Sequence, residues 1–316
     1  MDNDSRLLTK IATLYYNNGL TQAQIAQRLG LSRQTIGRRL EAACAQGIVE
    51  IHIRSPLLYV TELENQIEQT FNLAEVIVIS PAADTEEALK EALGQACAEF
   101  LRRRVGPDQV IAVSWSSTVL ECAERLQPTE PRRVTVVQMN GSMDRTTYST
   151  RAEYIIDRIA RAFGGRGVPL VAPMMVDRAE IKESLLGDSR IAAALDLASR
   201  ANIALIGVGD VSEQSSLYKA GYLDDAMLRQ LQALGAAGDI CGRFFDGNGQ
   251  LCAPELDGRT LAIDLDTLRT RELAIAIAGG LHKVPAILGA LRGGYANVLI
   301  TDEQVARALL TSPKAI

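Results

Sequence analysis

The segment Leu20–Leu40, LTQAQIAQRLGLSRQTIGRRL, reads as helix, sharp turn, helix. Thr21 is a residue type that caps helix N-termini, and Ile25, Ala26 and Leu29 recur behind it at helical spacing, which predicts a helix over Gln22–Leu29. Gly30 supplies the left-handed backbone that a tight helix-to-helix connection needs. Ser32 caps a second helix that runs to about Gln46, before Gly47. Within it Ile36, Leu40 and Ala43 fall at i, i+4 and i+7 and form a buried stripe, with Gln34, Arg38, Glu41 and Ala45 opposite. A helix-turn-helix places its second helix in the major groove. Gln34 and Arg38 can reach base edges, Gln towards adenine and Arg towards guanine. Arg33, Arg39 and Ser32, the last with a helix N-terminus behind it, suit phosphates. Thr21, Gln22 and Thr35 complete the candidate DNA contacts. A plain amphipathic hairpin shares the periodicity; here the spacing Ala26-x3-Gly30-x-Ser32 coincides with the basic face.

Upstream, Leu7, Leu8, Ile11, Ala12, Leu14 and Tyr15 predict a preceding helix that stops at Asn18-Gly19. Downstream, GIVEIHIRSP (47–56) alternates Ile48, Ile51 and Ile53 as a short strand: either a wing, with His52 and Arg54 on the DNA backbone, or mere packing. Residues 1–54 hold seven Lys/Arg against four acids, a balance of +3, whereas the whole chain carries −5. A basic end on an acidic body confines a nucleic-acid contact to the N-terminus.

The chain's 316 residues suit a small module plus one large domain, and 47% hydrophobic residues supply a sizeable core. We place the DNA-binding domain at 1–55, a linker helix at 56–72, and a large domain at 73–316. The linker, TELENQIEQTF, has an apolar side (Leu58, Leu63, Ile67, Phe71) that either packs on its own large domain or pairs with a second copy. Because half-sites come in pairs, a homodimer or homotetramer is expected.

From Glu75 on, apolar strand runs alternate with helical runs. The strand candidates are 76–80, 110–115, 134–139, 203–209, TLAID (260–264), 296–301 and LAIAIAGG (273–280), the last also readable as helix. Helices are predicted over Thr85–Arg104, Thr118–Leu126 and Thr150–Phe163. Such alternation predicts an α/β fold with a doubly wound, mostly parallel sheet. Ligands of such sheets bind beyond strand carboxyl ends, where strand order reverses. That singles out Ser114-Trp115-Ser116-Ser117-Thr118, Gln138-Met139-Asn140-Gly141-Ser142, Gly207-Val208-Gly209-Asp210, and Gly279-Gly280 with Lys283. Gly and Ser let backbone N–H groups approach an oxyanion, and Ser116-Ser117-Thr118 opens a helix, which favours an anion there.

No apolar run approaches the length of a membrane helix and the N-terminus lacks a signal-peptide core, so a cytoplasmic protein is expected. Five scattered cysteines without a C-x-x-C pair read as buried free thiols. With two histidines, His52 and His282, a His-based metal site or triad is not expected, nor is any cofactor.

Four stretches together resemble the SorC family of sugar-responsive bacterial regulators: KIATLYYNNGLTQAQIAQRLGLSRQTIGRRL (10–40), IAVSWSSTV (111–119), GDICGRFFD (238–246) and AGGLHKVPAILGALRGGYANVLITDE (278–303). The similarity spans essentially the whole chain. It implies a C-terminal domain similar to sugar-phosphate isomerases, an effector that is a sugar, polyol or sugar phosphate, operator DNA as partner, and dimers or tetramers. Two positions depart from the family's pattern: its S-W-G loop reads Ser114-Trp115-Ser116, and its double glycine reads Gly141-Ser142. Lys283 is the candidate for an anionic group and Asp239 for sugar hydroxyls, because a carboxylate accepts two such bonds. Arg243 reads better as an internal ion pair with Asp246 or Glu255. The rival function is an isomerase or aldolase fused to a DNA-binding module. It needs a general base, for which Asp210, Asp239 and His282 are the candidates.

Overall fold

The computed structural model describes residues 3–50, 58–142, 144–145, 148–149 and 151–312. It divides into two units, 1–58 and 59–316.

The first unit is helical. Helix α1 (Asn3–Ala12) continues into one π turn (Thr13–Asn17), followed by α2 (Gln22–Leu29) and α3 (Arg33–Ala45). The Thr21 hydroxyl accepts the Gln24 N–H while the Gln24 side chain accepts the Thr21 N–H, a reciprocal cap that fixes where α2 starts. Gly30 adopts the left-handed conformation (φ 66°), and the Leu31 N–H closes the turn onto the Ala26 carbonyl. Ser32 caps α3 by accepting the Thr35 N–H. Ile11, Leu14, Ile25, Ala26, Ile36 and Leu40 form the core between the three helices. The predicted strand over 47–56 falls largely on 51–57, with His52 and Arg54, outside the described residues.

The second unit opens with α4 (Leu58–Phe71). Its strands are β1 (Glu75–Ile79), β2 (Val110–Val113), β3 (Thr135–Gln138), β4 (Asp144–Arg145), β5 (Tyr148–Ser149), β6 (Arg166–Val168), β7 (Ile203–Gly207), β8 (Gly209–Asp210), β9 (Ala236–Ile240), β10 (Arg243–Asp246), β11 (Leu273–Ile277) and β12 (Val298–Asp302). Seven of them form one sheet in the order β1-β12-β11-β7-β2-β3-β6, with every neighbouring pair parallel. From β2 the chain moves outward to β3 and β6; from β7 it moves the other way, to β11 and β12. Strand order therefore reverses between β2 and β7.

Successive strand residues feed opposite faces, as the two-residue period demands. Ile111, Val113, Leu205 and Ile275 enter one core with α5 (Glu86–Arg104) and α6 (Ser117–Arg125); Ala112, Ala204, Ile206 and Ala276 enter the other, with the helix Val284–Arg292. This double burial explains the near-continuous apolar strands, and it settles LAIAI as β11, buried throughout. At the open edge, β1 turns the N–H groups of Val76 and Val78 outward. The Glu68 and Glu64 carboxylates, one turn apart on α4, accept them at 2.8 and 2.9 Å. With Ile67 fully buried, α4 packs on its own large unit and covers the edge that would otherwise template another strand.

Three expectations need correction. TLAID forms no ladder strand: Thr260 and Ala262 make single bridges to Met175 and Asn140. The carbonyls of Ala262 and Ile263 are instead taken by the Arg243 guanidinium, at 3.0 and 2.7 Å. Arg243 is an internal ion pair, but with Asp257 and Asp264 rather than Asp246 or Glu255. Of the five free thiols, Cys44 is exposed and Cys252 only partly covered.

Gly94 on α5 marks the closest approach of α5 and α6. A Cβ there would lie 2.6 Å from the Glu121 Cβ and 2.7 Å from the Glu121 carbonyl carbon. Gly94→Val should therefore cost roughly 1–3 kcal/mol in urea denaturation; an unchanged midpoint would show that the helices do not meet there.

Candidate functional site

A cavity of about 870 Å³ opens at the carboxyl ends of β2, β7 and β11, where the strand order reverses. Open α/β sheets bind ligands in that position. Ser116, Ser117, Thr118, Asn140, Gly207, Gly209, Asp239 and Lys283 are all among its lining residues. Gln138, Gly141, Ser142 and Gly280 are not among them. Gln138 is fully buried: its amide donates to the Asn140 carbonyl (2.6 Å) and the Ser142 hydroxyl (3.1 Å), and its oxygen accepts the Leu170 N–H. The Gly141 carbonyl accepts the Trp115 indole N–H at 2.8 Å. The Gly280 N–H donates to Asp302 at 2.7 Å.

Two glycines make room for polar groups. Gly209 faces Asp239 across the antiparallel β8–β9 pair, and a Cβ on it would lie 2.0 Å from the Asp239 Oδ1. A Cβ on Gly207 would lie 2.6 Å from the Ser116 Oγ. Ser116 itself caps α6 by accepting the Val119 N–H. Lys283 donates from its Nζ to the Val208 carbonyl at 3.0 Å, and Asp210 accepts the Ser212 hydroxyl.

The charges here are mutually dependent. Burial pushes the Asp239 carboxyl from 3.8 up to about 6; the Gly242 N–H, 2.9 Å from its Oδ2, and the Lys283 charge oppose the rise, and Asp210 adds to it. Burial lowers the Lys283 ammonium, against the pull of Asp210 and Asp239. Asn140, 1% exposed, leaves its Oδ1 without a hydrogen-bond partner among the described residues. Buried polar atoms are nearly always paired, so an unpaired acceptor at a cavity wall suits a ligand donor.

The strand-end rule does not reach all of the lining. Lys90 and Glu86 come from the first turns of α5, and Lys219 from the short helix Ser216–Lys219. Since α5 follows β1, the rule extended to that edge strand finds the first two; nothing in the sequence marks Lys219. Among the described residues, no group of three or more His, Cys, Asp or Glu could hold a metal ion.

In the first unit, Gln22, Arg33, Gln34, Gly37, Arg38 and Glu41 line one shallow concavity on α2 and α3. Arg39 stands apart from it, paired with Asp4. The Thr35 hydroxyl bonds the Ser32 hydroxyl at 2.7 Å, and the Thr21 hydroxyl serves the α2 cap.

Residues 55–311 match the family model "Putative sugar-binding domain", and residues 11–50 match "Winged helix-turn-helix DNA-binding". The chain is 35% identical over 312 residues to the deoxyribonucleoside regulator of Bacillus subtilis, covering 98% of this chain and 99% of that one. Against the erythritol catabolism regulatory protein EryD of Brucella abortus it is 30% identical, covering 99% and 98%. The crystal structure of the full-length sorbitol operon regulator SorC from Klebsiella pneumoniae matches with a TM-score of 0.76 at 33% identity, covering 98% of this chain and all of that one. The chain belongs to the SorC family.

The two departures from the family pattern now have places. Ser116 puts a hydroxyl on the cavity wall, whereas the Ser142 side chain is engaged by Gln138 and is not among the lining residues.

The raised Asp239 carboxyl has a consequence for stability. Between pH 4 and 6 the folded state holds this proton and the unfolded state does not, so the folded state loses stability as pH rises through that window. Two units amount to about 3 kcal/mol. Asp239→Asn keeps an acceptor for Gly242 and should be more stable than wild type at pH 8, by on the order of 2–3 kcal/mol, with the advantage gone at pH 4. Thermal unfolding across that range checks it; an advantage independent of pH would mean that the carboxyl is not raised.

Proposed function

We propose that the protein is a transcriptional regulator of a carbohydrate-utilisation operon whose operator affinity is set by a sugar, polyol or sugar phosphate bound at the β2–β7 reversal. The unpartnered Asn140 oxygen carries this reading: it calls for a hydroxyl donor at the wall of a cavity that also offers the Asp239 carboxylate. Lys283, Lys90 and Lys219 suit an anionic end of the effector, and the Ser117–Thr118 turn, at a helix N-terminus, suits the same group. Gln34 and Arg38 read base edges, and Arg33 and Ser32 hold phosphates. The relatives' names, regulators of deoxyribonucleoside, erythritol and sorbitol systems, support an effector of this class.

The protein acts by binding rather than by turnover. One observation favours the isomerase alternative: a buried carboxyl raised to about 6 beside a lysine has the properties of a general base. Incubating purified protein with pentose and hexose phosphates decides between them, since turnover would establish the enzyme.

The effector is found by thermal shift against sugars, polyols and their phosphates; at 100 times its dissociation constant it should add about 2.7 kcal/mol. Lys283→Ala and Asp239→Ala should then abolish the effector's influence in operator titrations while leaving effector-free binding nearly unchanged. Variants that respond like wild type would place the effector elsewhere. The assembly is a dimer or tetramer. Sedimentation at micromolar concentration should therefore exceed the 34.1 kDa chain mass, and a monomer both alone and on DNA would contradict it.

A further inference from the structure

Three glycines lie inside helices among the described residues: Gly37 in α3, Gly94 in α5 and Gly289 in the helix Val284–Arg292. Glycine in a helix interior is destabilising relative to alanine, because it gives up more backbone freedom on folding. Each position therefore calls for a reason. Gly94 lets α6 approach, and a Cβ on Gly289 would lie 2.6 Å from the Asp246 carbonyl oxygen. Gly37 has no such reason. Its backbone is helical, and among the described residues the one atom near an added Cβ is the Gln22 Oε1 at 3.7 Å, an ordinary contact. Nothing among the described residues prevents an alanine there.

What distinguishes Gly37 is its position. Gln34, Gly37, Arg38 and Glu41 fall at i, i+3, i+4 and i+7, one stripe of α3, opposite the buried Ile36, Leu40 and Ala43. The same residues line the concavity with Gln22 and Arg33. The glycine thus lies midway along this stripe, on its flank towards Gln22 of α2, within the face assigned to the major groove. We propose that Gly37 is a specificity-determining residue: the space it leaves is filled by the C5 methyl of a thymine, which lets α3 sit deeper in the groove than any side chain would permit.

The occupant follows from groove chemistry. Base edges in the major groove offer hydrogen-bond donors, acceptors and one apolar group, the thymine methyl. A bare Cα offers no partner to a donor or acceptor, and a base polar group buried against it would lose its water without compensation. The methyl loses nothing by the same contact. Gln34 and Arg38, on either side, carry the hydrogen bonds that fix register.

This inference rests on the reading of α3 as the recognition helix, and the test separates the two. Full-length wild-type protein first selects its duplex from a randomised pool. Gly37→Ala should melt at a higher temperature than wild type yet bind the selected duplex at least about tenfold more weakly. Deoxyuridine is then substituted for each thymidine of a half-site in turn. At one position it should return most of the lost affinity to Gly37→Ala, because the methyl that the new side chain meets is gone, while wild type changes by no more than a few-fold. Binding by Gly37→Ala equal to wild type, a loss that no deoxyuridine relieves, or a lower melting temperature would each overturn the proposal. A wild type that selects no sequence would instead overturn the assignment of α3 to the groove, and this inference with it.

Discussion

Seven parallel strands put all their carboxyl ends on one rim, and the change of direction between β2 and β7 leaves a gap there that no crossover helix fills. Connections leaving β2 and β7 diverge to opposite halves of the sheet, so the space between them is closed by the loops at their ends together with the first turns of α5 and α6 and the short helix Ser216–Lys219. Those loops must bring backbone and short polar side chains together without a large residue intervening. Gly207 and Gly209 meet that demand: one admits the Ser116 hydroxyl, the other the Asp239 carboxyl. The small antiparallel sheet β8–β9–β10 follows from the same constraint. It hangs Asp239 over the rim from strands that the main sheet does not contain.

Placing a carboxyl in that position has an energetic cost, because burial disfavours its charged form. A folded-state value near 6 means that the protein disfavours the charge it nonetheless carries at neutral pH. Lys283 faces the converse penalty, since burial weakens its hold on a proton. Neither group is stabilised as a folding device would be; a well-packed apolar pair of the same volume would serve the fold at least as well. Two strained charges and one unpaired amide oxygen around one cavity are better understood as a surface made complementary to something else.

Period and capping made most of this architecture legible. Thr21, Gly30 and Ser32 bound the helix-turn-helix because each has one local role that its side chain or its φ dictates. The large sheet was legible because strands buried on both faces are apolar throughout, and the strand ends pointed to part of the cavity lining. TLAID was misleading for a physical reason: its short apolar run is that of a strand, but the Arg243 guanidinium occupies the carbonyls of Ala262 and Ile263 that a ladder would use. Short strands such as β8, two residues long, carry no period at all. Gln138 was named together with Asn140, but β3 ends at Gln138, whose amide is consumed in holding the loop, while Asn140, two residues on, reaches the cavity wall.

An effector alters operator affinity only to the extent that it binds the DNA-competent and incompetent arrangements differently. Couplings of this kind amount to about 1–3 kcal/mol, the scale of one or two buried hydrogen bonds gained or lost. The cavity holds groups of that scale in an unsatisfied state: the Asn140 oxygen, worth about one such bond, and the Asp239 charge, disfavoured by a comparable amount. The lining is also continuous with the edge of the sheet. Asp302, at the end of β12, accepts the Gly280 N–H beside Lys283; β12 pairs with β1; and β1 is bound by Glu64 and Glu68 of α4, the helix that leads back in sequence to the DNA-binding unit. Making or breaking one of these bonds is therefore of the right energy to shift such an equilibrium.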